Sequence, residues 1–377
     1  MGRKKKILYI VSSLDRGGVD LAVYRMFLSL DPAVYDCTFC VIQNAKGDLE
    51  ASITKCGAKI IHTPKMNYRQ NYKYYLNLFR KQHFDAVHCH LPFFCGLIMF
   101  AAYKNRIPVR ISHSHFSNRL IYDNDSKLRE FLAIFYRVIM RSLTGKYSTK
   151  IIGCSREACE FISSKKYFKA KGMVLNNPVN TSEYEFNDEK RDRVRKKLNL
   201  DDKIVLGHIG HLSYVKNQSF LIDIFSDFHK KHKNSVLLIV GGGNDEKMLK
   251  NKASDLGIKD CVIFAGVRSD IQNLLFAMDC LVFPSLHEGF PLTLIEAQAS
   301  KLPCVVSSEI TKSVKLSSAL SFVSLSAPVS EWCSEIENML ELNRKSVDNK
   351  KVLEEFDIKV IGRKLNEVYN SADERNV

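Results

Sequence analysis

A parallel, doubly wound α/β sheet occurring twice along the chain is the fold this sequence predicts, and three observations predict it. Short β-branched apolar runs alternate with helical patterns from end to end. The alternation breaks once, at VLNNPVNTSEYEFNDEKRDRVRKKLNL (174–200), where Asn/Pro turns lead into a highly charged segment. The 377 residues are long for one domain and sufficient for two, each with its own core.

The elements follow in order. KKILYIVSS (5–13) is a strand ended by the turn DRGG, after which VDLAVYRMFLSL reads as a helix. CTFCVIQ, AKIIHTP, FDAVHCH and PVRISHSH are further strands, each followed by helix-like or loop sequence. STKIIGCSREACEFI (148–162) is a strand, a Ser N-cap and a helix. Beyond the break the rhythm resumes with KIVLGHIGHL, SVLLIVGGG, CVIFAG, CLVFPS and PCVVSS. Two Rossmann-like domains in tandem result, expected to bind ligands at the carboxyl ends of their strands, where the domains face each other across a cleft.

Composition narrows the class. With 45% hydrophobic and 26% charged residues and no low-complexity tract, the chain reads as globular. The longest apolar run, LPFFCGLIMFAAY (91–103), is too short to span a bilayer, and MGRKKKILYIVSS shows neither a cleavage site nor a myristoylation pattern. Eleven scattered cysteines form no framework. The lone pair Cys37 and Cys40 falls in a strand that turns the two thiols to opposite faces, so buried thiols in a reducing cytosol are expected. The net charge of +15 is uneven: residues 1–185 carry 29 Lys+Arg against 14 Asp+Glu, while residues 186–377 balance at 27 each. An anionic partner for the N-terminal half follows from that split. No nucleic-acid-binding module or stacking platform accompanies it, so nucleic acid is not the expected partner.

Residues suited to chemistry cluster at predicted strand ends. Gly17 and Gly18 precede a helix, as a plain turn or as a close approach to phosphate. His88 and His90 end one strand, His113 and His115 another. No carboxylate is patterned with them, which favours hydrogen-bonding or acid–base work over a metal. His211 and Lys216 lie between a strand and a helix, where cation and dipole together favour an anion; a lone solvated lysine is the plainer alternative. In PSLHEGFPLTLIEAQAS (284–300), Glu288 sits on a loop and Glu296 about two turns along a helix. That is too far apart to share a proton but suited to holding two ends of a polyhydroxylated ligand. Asp123-Asn-Asp125 lies in the polar loop RLIYDNDSKLR and reads as a turn.

PSLHEGFPLTLIEAQASKLPCVVSSEI resembles the Glu–seven–Glu signature of retaining GT-B glycosyltransferases, the nucleotide-sugar-dependent "family 4" or "group 1" enzymes of capsule, exopolysaccharide and lipopolysaccharide synthesis. HIGHLSYVKNQSFLIDIF resembles their phosphate-binding segment; LLIVGGG, VIFAGVRSDI, AMDCLVFPS, HSH, CSREACEFI and VLNNPV match further landmarks. The resemblance implies that Glu288 binds donor-sugar hydroxyls with backbone N–H groups from Gly289, Phe290 and Leu292, Pro291 having none to give. It implies that Glu296 holds the ribose, that Lys216 neutralises the leaving diphosphate, and that Gly17 and Gly18 lie against it. The backbone at Val267 and Arg268 would meet the base, His113 would lie near the reacting carbon with His115 behind, and His88, His90 and His115 would serve the acceptor. His211 stands where the family usually has Arg, a weaker partner for phosphate.

The expected co-substrate is a nucleotide sugar, UDP-linked by the family's commonest donors, with no metal and no other cofactor. The expected acceptor is a saccharide, often lipid-linked in this family, and the expected location is the cytoplasm, peripheral on the inner face of the membrane. The helix in MNYRQNYKYYLNLFRKQ (66–82) gathers Tyr68, Tyr72, Tyr75, Leu76 and Phe79 on one face, either to dock on anionic lipid or to pack on its own sheet. Expected boundaries are 1–180, 181–355, and a last segment 356–377 returning to the N-terminal domain. Two competing functions are a nucleotide-sugar epimerase on the same fold and a weakly active partner subunit of a transferase.

Overall fold

The computed structural model describes residues 3–15, 17–42, 45–64, 66–91, 94–115 and 127–371. The chain divides into two compact units, residues 1–178 with 358–377, and residues 179–357.

The first unit is built on seven strands: β1 (Lys5–Val11), β2 (Tyr35–Val41), β3 (Lys59–His62), β4 (Ala86–Cys89), β5 (Val109–Ser114), β6 (Lys150–Gly153) and β7 (Gly172–Val174). All pair in parallel, in the order β3-β2-β1-β4-β5-β6-β7. A parallel sheet must be covered on both faces, which is why these strands are apolar nearly throughout. One face carries the helix Gly18–Leu28 and the last helix, Ile358–Asn370, through Ile361, Leu365, Val368 and Tyr369. The other carries Tyr68–Lys81 and Cys95–Lys104. Cys37 joins the first core and Cys40 the second, as strand alternation requires. Tyr75 and Phe79 are buried against that second core with Tyr72 and Leu76 packed on it, so this helix spends its apolar face on its own sheet.

The second unit repeats the plan with β8 (Ile204–Ile209), β9 (Ser235–Val240), β10 (Val262–Phe264), β11 (Cys280–Phe283), β12 (Cys304–Ser307) and β13 (Leu320–Val323). Their order is β10-β9-β8-β11-β12-β13, again all parallel. In both sheets the connections reverse direction beside the first strand, between β1 and β4 and between β8 and β11. Such switch points open a crevice at the carboxyl ends. No helix among the described residues is long and apolar enough to cross a membrane.

Candidate active site

In the second unit the loops after β8 and β11 are stitched together. Asn217, left-handed at φ 55°, donates from Nδ2 to the Pro284 carbonyl (3.1 Å), and the Leu286 N–H donates to Val215 (2.9 Å). This brings Lys216 Nζ to 2.5 Å from Glu288 Oε1, with the ammonium 4.9 Å from the centre of the Phe283 ring. Both side chains are mostly shielded from solvent, 21% and 12% exposed, so their attraction is screened less than that of a surface pair. Beneath them, buried Gln218 locks the loop: Nε2 donates to the His211 carbonyl (2.9 Å) and lies 3.2 Å from His208 Nε2. His208 Nδ1 lies 3.0 Å from the Val282 carbonyl, which only accepts, so Nδ1 carries the proton and Nε2 is left to accept from Gln218. Burial holds the pKa of His208 down at about 4, with the nearby Lys216 charge acting the same way.

The other sequence-predicted donor residues lie along the same edge. Leu212 N–H donates to Gly242 and Gly241 N–H to Gly266, joining the loops after β8, β9 and β10. Gly241 has φ 137°, and a Cβ there would fall 2.0 Å from the Gly210 carbonyl oxygen, so only glycine permits this backbone contact. Val267 is exposed, and Arg268 grips Asp270 through two hydrogen bonds of 2.8 and 2.7 Å. His211 is exposed. A Cβ on Gly289 would meet nothing within 4 Å; Phe290 stacks on Phe356. Pro291 precedes the helix Leu292–Ala299, whose start has no side-chain cap; the Leu294 N–H already donates to the Pro291 carbonyl (3.1 Å), which leaves the two N–H groups before it for a ligand. Glu296 is buried and is the fifth helical residue, little more than one turn in rather than two.

At the opposite, amino edge of this sheet lies a cavity of about 580 Å³ lined by Arg191, Arg195, Arg344 and Asp279. Arg344, its pKa lowered to about 9 by burial, donates to the carbonyls of Leu275, Phe276, Met278 and Ser300. Arg191 and Arg195 donate to carbonyls in 276–278 and pair with Asp279. These guanidiniums finish the helix Ile271–Ala277 and are not free for a ligand.

In the first unit, Gly17 and Gly18 begin the helix after β1. Neither has a left-handed φ; a Cβ on Gly18 would meet nothing, and one on Gly17 only the Asp20 carboxylate at 3.5 Å. Packing among the described residues does not require glycine there, and the helix start carries no side-chain cap. Asp20 accepts from Ser13 Oγ and the Asp15 N–H, fixing the turn; burial raises its pKa.

The four histidines form one array. The strands stay extended, so His88 and His90 emerge on the same side as His113 and His115. His88 Nε2 lies 3.1 Å from His113 Nδ1, and His90 Nδ1 lies 2.9 Å from His115 Nε2. In each of these pairs the ring centres are 5.2 Å apart and the planes within 23°, the geometry of rings bonded edge to edge. One pair lies over the other, with His88 and His90 4.2 Å and His113 and His115 4.4 Å centre to centre. Two residues from distant parts of the chain anchor the array: Tyr369 OH is 2.7 Å from His88 Nδ1 and 2.8 Å from Tyr9 OH, and Asn177 Oδ1 is 3.0 Å from His115 Nδ1.

With Asn177 Oδ1 accepting, His115 carries its proton on Nδ1 and accepts from His90 Nδ1–H. His90 Nε2 is then a bare lone pair. It and His113 Nε2 are buried without a hydrogen-bond partner. His88, His90 and His113 are held well below the usual histidine pKa by burial first and by one another second; burial takes His115 to about 4. The array is therefore neutral at pH 7. Nitrogens of His88, His90 and His113 come within 4.8 Å of one another, but both His88 nitrogens are engaged, Nε2 with His113 Nδ1 and Nδ1 with Tyr369 OH, which leaves His88 none for a metal. His113 is fully buried, and only His115 is part-exposed. Asp123 and Asp125 lie outside the described residues.

Sequence reasoning named the four histidines but not Tyr369, Asn177, His208, Asn217 or Gln218. The segments VLNNPV and YVKNQ held the signal for Asn177, Asn217 and Gln218; nothing local marked Tyr369.

Two family models cover this chain in succession: glycosyltransferase family 4 over residues 16–183 and glycosyl transferases group 1 over residues 190–314. The chain belongs to the group 1 glycosyltransferases of GT-B fold. It is 27% identical to EpsF of Bacillus subtilis over 340 residues, 88% of this chain and 87% of that one. It is 24% identical to CapH, a capsular polysaccharide biosynthesis glycosyltransferase of Staphylococcus aureus, over 97% of this chain and 99% of that one. Among solved structures, HepE of Anabaena in complex with UDP and glucose superposes with a TM-score of 0.76 at 18% identity, covering 97% of this glycosyltransferase and all of HepE.

Proposed function

We propose that this glycosyltransferase moves a hexose or N-acetylhexosamine from a UDP-sugar, with retention and without a metal, to a saccharide acceptor in surface polysaccharide synthesis. The observation that carries the reading is the Lys216–Glu288 pair, 72 residues apart in sequence and 2.5 Å apart at the switch point of the second sheet. A donor entering there meets a cation suited to its diphosphate and a carboxylate suited to its sugar hydroxyls. As the bond from anomeric carbon to phosphate oxygen breaks, positive charge grows on the sugar and negative charge on the diphosphate. Lys216 and the uncapped start of Leu292–Ala299 stabilise charge where it develops. Glu296 takes the ribose, and the backbone at Val267 and Arg268 the base. Gly289, Phe290 and Leu292 give N–H groups to the donor, and His211 supplements Lys216.

The first unit takes the acceptor through His88, His90, His113 and His115, and Gly17–Gly18 admit phosphate to an uncapped helix start. Burial of His113 makes His115 the histidine that meets substrate, with His113 behind it. CapH supports surface polysaccharide as the product class. An Escherichia coli galactosyltransferase, 29% identical over 61% of this chain, has a name that gives UDP-Gal as donor and a diphosphoundecaprenol-linked saccharide as acceptor. A lipid-linked acceptor and a peripheral seat on the inner membrane face fit both that relative and the basic N-terminal half.

A thermal-shift panel of UDP, GDP and ADP with their sugar conjugates tests the reading on wild type and Glu296→Ala, with and without EDTA. UDP and a UDP-sugar stabilise the wild type, indifferent to EDTA, and stabilise the variant less. No shift with any nucleotide overturns it; sugar turnover without acceptor favours the epimerase.

A further inference from the structure

The helix Lys127–Tyr147 carries an apolar face that none of the described residues covers. Ile134, Phe135, Val138 and Ile139 are 50%, 59%, 59% and 39% exposed. At 100° per residue they fall within an arc of ~140°, so they form one contiguous stripe. Scattered exposed apolar residues need no explanation, but four large ones on adjacent turns of one helix do.

Basic residues surround the stripe. Arg141 and Lys146 are exposed on the same helix. The next helix but one, Lys165–Lys171, is held beside its C-terminal end. Gly145 lies so close to the Tyr167 ring that a Cβ would fall 2.1 Å from it. Lys171 Nζ donates to the Ser148 carbonyl at 2.5 Å, and Arg141 Nε to the Ser163 carbonyl at 2.7 Å. This second helix presents Lys165, Lys166 and Lys169 to solvent. Residues 127–171 contain eleven Lys and Arg against three Asp and Glu. More than half of the excess positive charge of the chain thus falls in the stretch of sequence that carries this stripe.

We infer that this surface docks on anionic lipid: Ile134, Phe135, Val138 and Ile139 enter the boundary between headgroups and acyl chains, and the lysines of Lys165–Lys171 bind the headgroups. The pairing of an apolar stripe with flanking lysines is the chemistry of an interfacial helix. It relocates the membrane surface from Tyr68–Lys81, whose apolar face is occupied by its own sheet. The inference rests on the membrane-linked reading of the acceptor above, but not on the nucleotide site.

Flotation of the full chain with vesicles of phosphatidylcholine, alone or mixed with phosphatidylglycerol, tests it. Two variants at exposed positions are compared with wild type: Phe135→Asp/Val138→Asp and Lys165→Gln/Lys166→Gln/Lys169→Gln. Wild type floats with the phosphatidylglycerol vesicles and is partly released by salt. The lysine variant loses on the order of a hundredfold in partitioning, from about fivefold per basic residue near the surface, and most of its salt dependence. The apolar variant partitions at least tenfold more weakly at every salt concentration. UDP-induced thermal shifts in both variants equal wild type, which separates a failed docking surface from a failed donor site. Wild type that does not float, or variants that float like wild type, would overturn the inference. So would a wild-type dimer that Phe135→Asp/Val138→Asp dissociates without vesicles, since the stripe would then belong to a second copy.

Discussion

The two units share a strand order and place their chemistry at the same topological point, yet they arm it in opposite ways. Beside β1, the first unit sets four neutral, hydrogen-bonded imidazoles, three of them sealed from solvent. Beside β8, the second sets an ammonium against a carboxylate, both partly open. The fold dictates where a ligand sits; what is placed there decides whether charge is met or avoided. A diphosphate needs fixed positive charge, whereas a neutral saccharide hydroxyl needs donors and acceptors in known orientations. The contrast breaks down if the histidines titrate like exposed ones or if the charged pair is indifferent to phosphate.

Acid is the strongest challenge to it. The four array histidines and His208 have native pKa values pushed below the usual 6.5, so the unfolded chain takes up their protons first. A depressed histidine contributes its stability above about pH 6.5 and loses it as pH falls. Between pH 7 and 5.5 the loss is about 1 kcal/mol for each, several kcal/mol together. Urea unfolding across that range should show a steep fall in midpoint; a flat profile would mean that the array is solvated or protonated in the native state.

Next in size is the charged pair. Lys216→Ala should lower kcat for sugar transfer by about 10²- to 10³-fold, the usual cost of removing one group aimed at developing negative charge. Steady-state kinetics read this directly, and a loss below tenfold would transfer the role to His211 and the helix start. Smaller still is Tyr369→Phe, which leaves His88 Nδ1 and Tyr9 OH without their shared partner. A loss of about 1–3 kcal/mol in unfolding free energy is expected, with changed imidazole ¹⁵N shifts for His88 and His113. Unchanged shifts would show that the last helix packs on the array without setting its protons.

Much of this was legible in the sequence, and the exceptions share one cause. Runs such as KKILYIVSS and CLVFPS announce buried parallel strands because both faces must be apolar. Glu288 and Lys216 stand out because loop chemistry between a strand and a helix is local. What was not legible is what lies far away in sequence. Tyr369 reaches His88 across 281 residues, and no local pattern marks it as different from any tyrosine on an amphipathic helix. The helix Tyr68–Lys81 teaches the same point from the other side. Periodicity identifies its apolar face, but whether that face meets a sheet or a membrane depends on the neighbours the chain supplies. Glu296 came out a turn closer to the helix start because the helix begins at Leu292 and the two-turn distance runs from Glu288, whose loop is not helical.

The most direct test of the account is a calorimetric titration of UDP into wild type, Glu288→Gln and Lys216→Ala. Without donor, Lys216 is held by Glu288, and neutralising the carboxylate releases the ammonium for the diphosphate. Glu288→Gln should therefore bind UDP at least as tightly as wild type while losing transfer, and Lys216→Ala should bind it at least tenfold more weakly. UDP affinity unchanged in Lys216→Ala would contradict the claim that Lys216 holds the diphosphate.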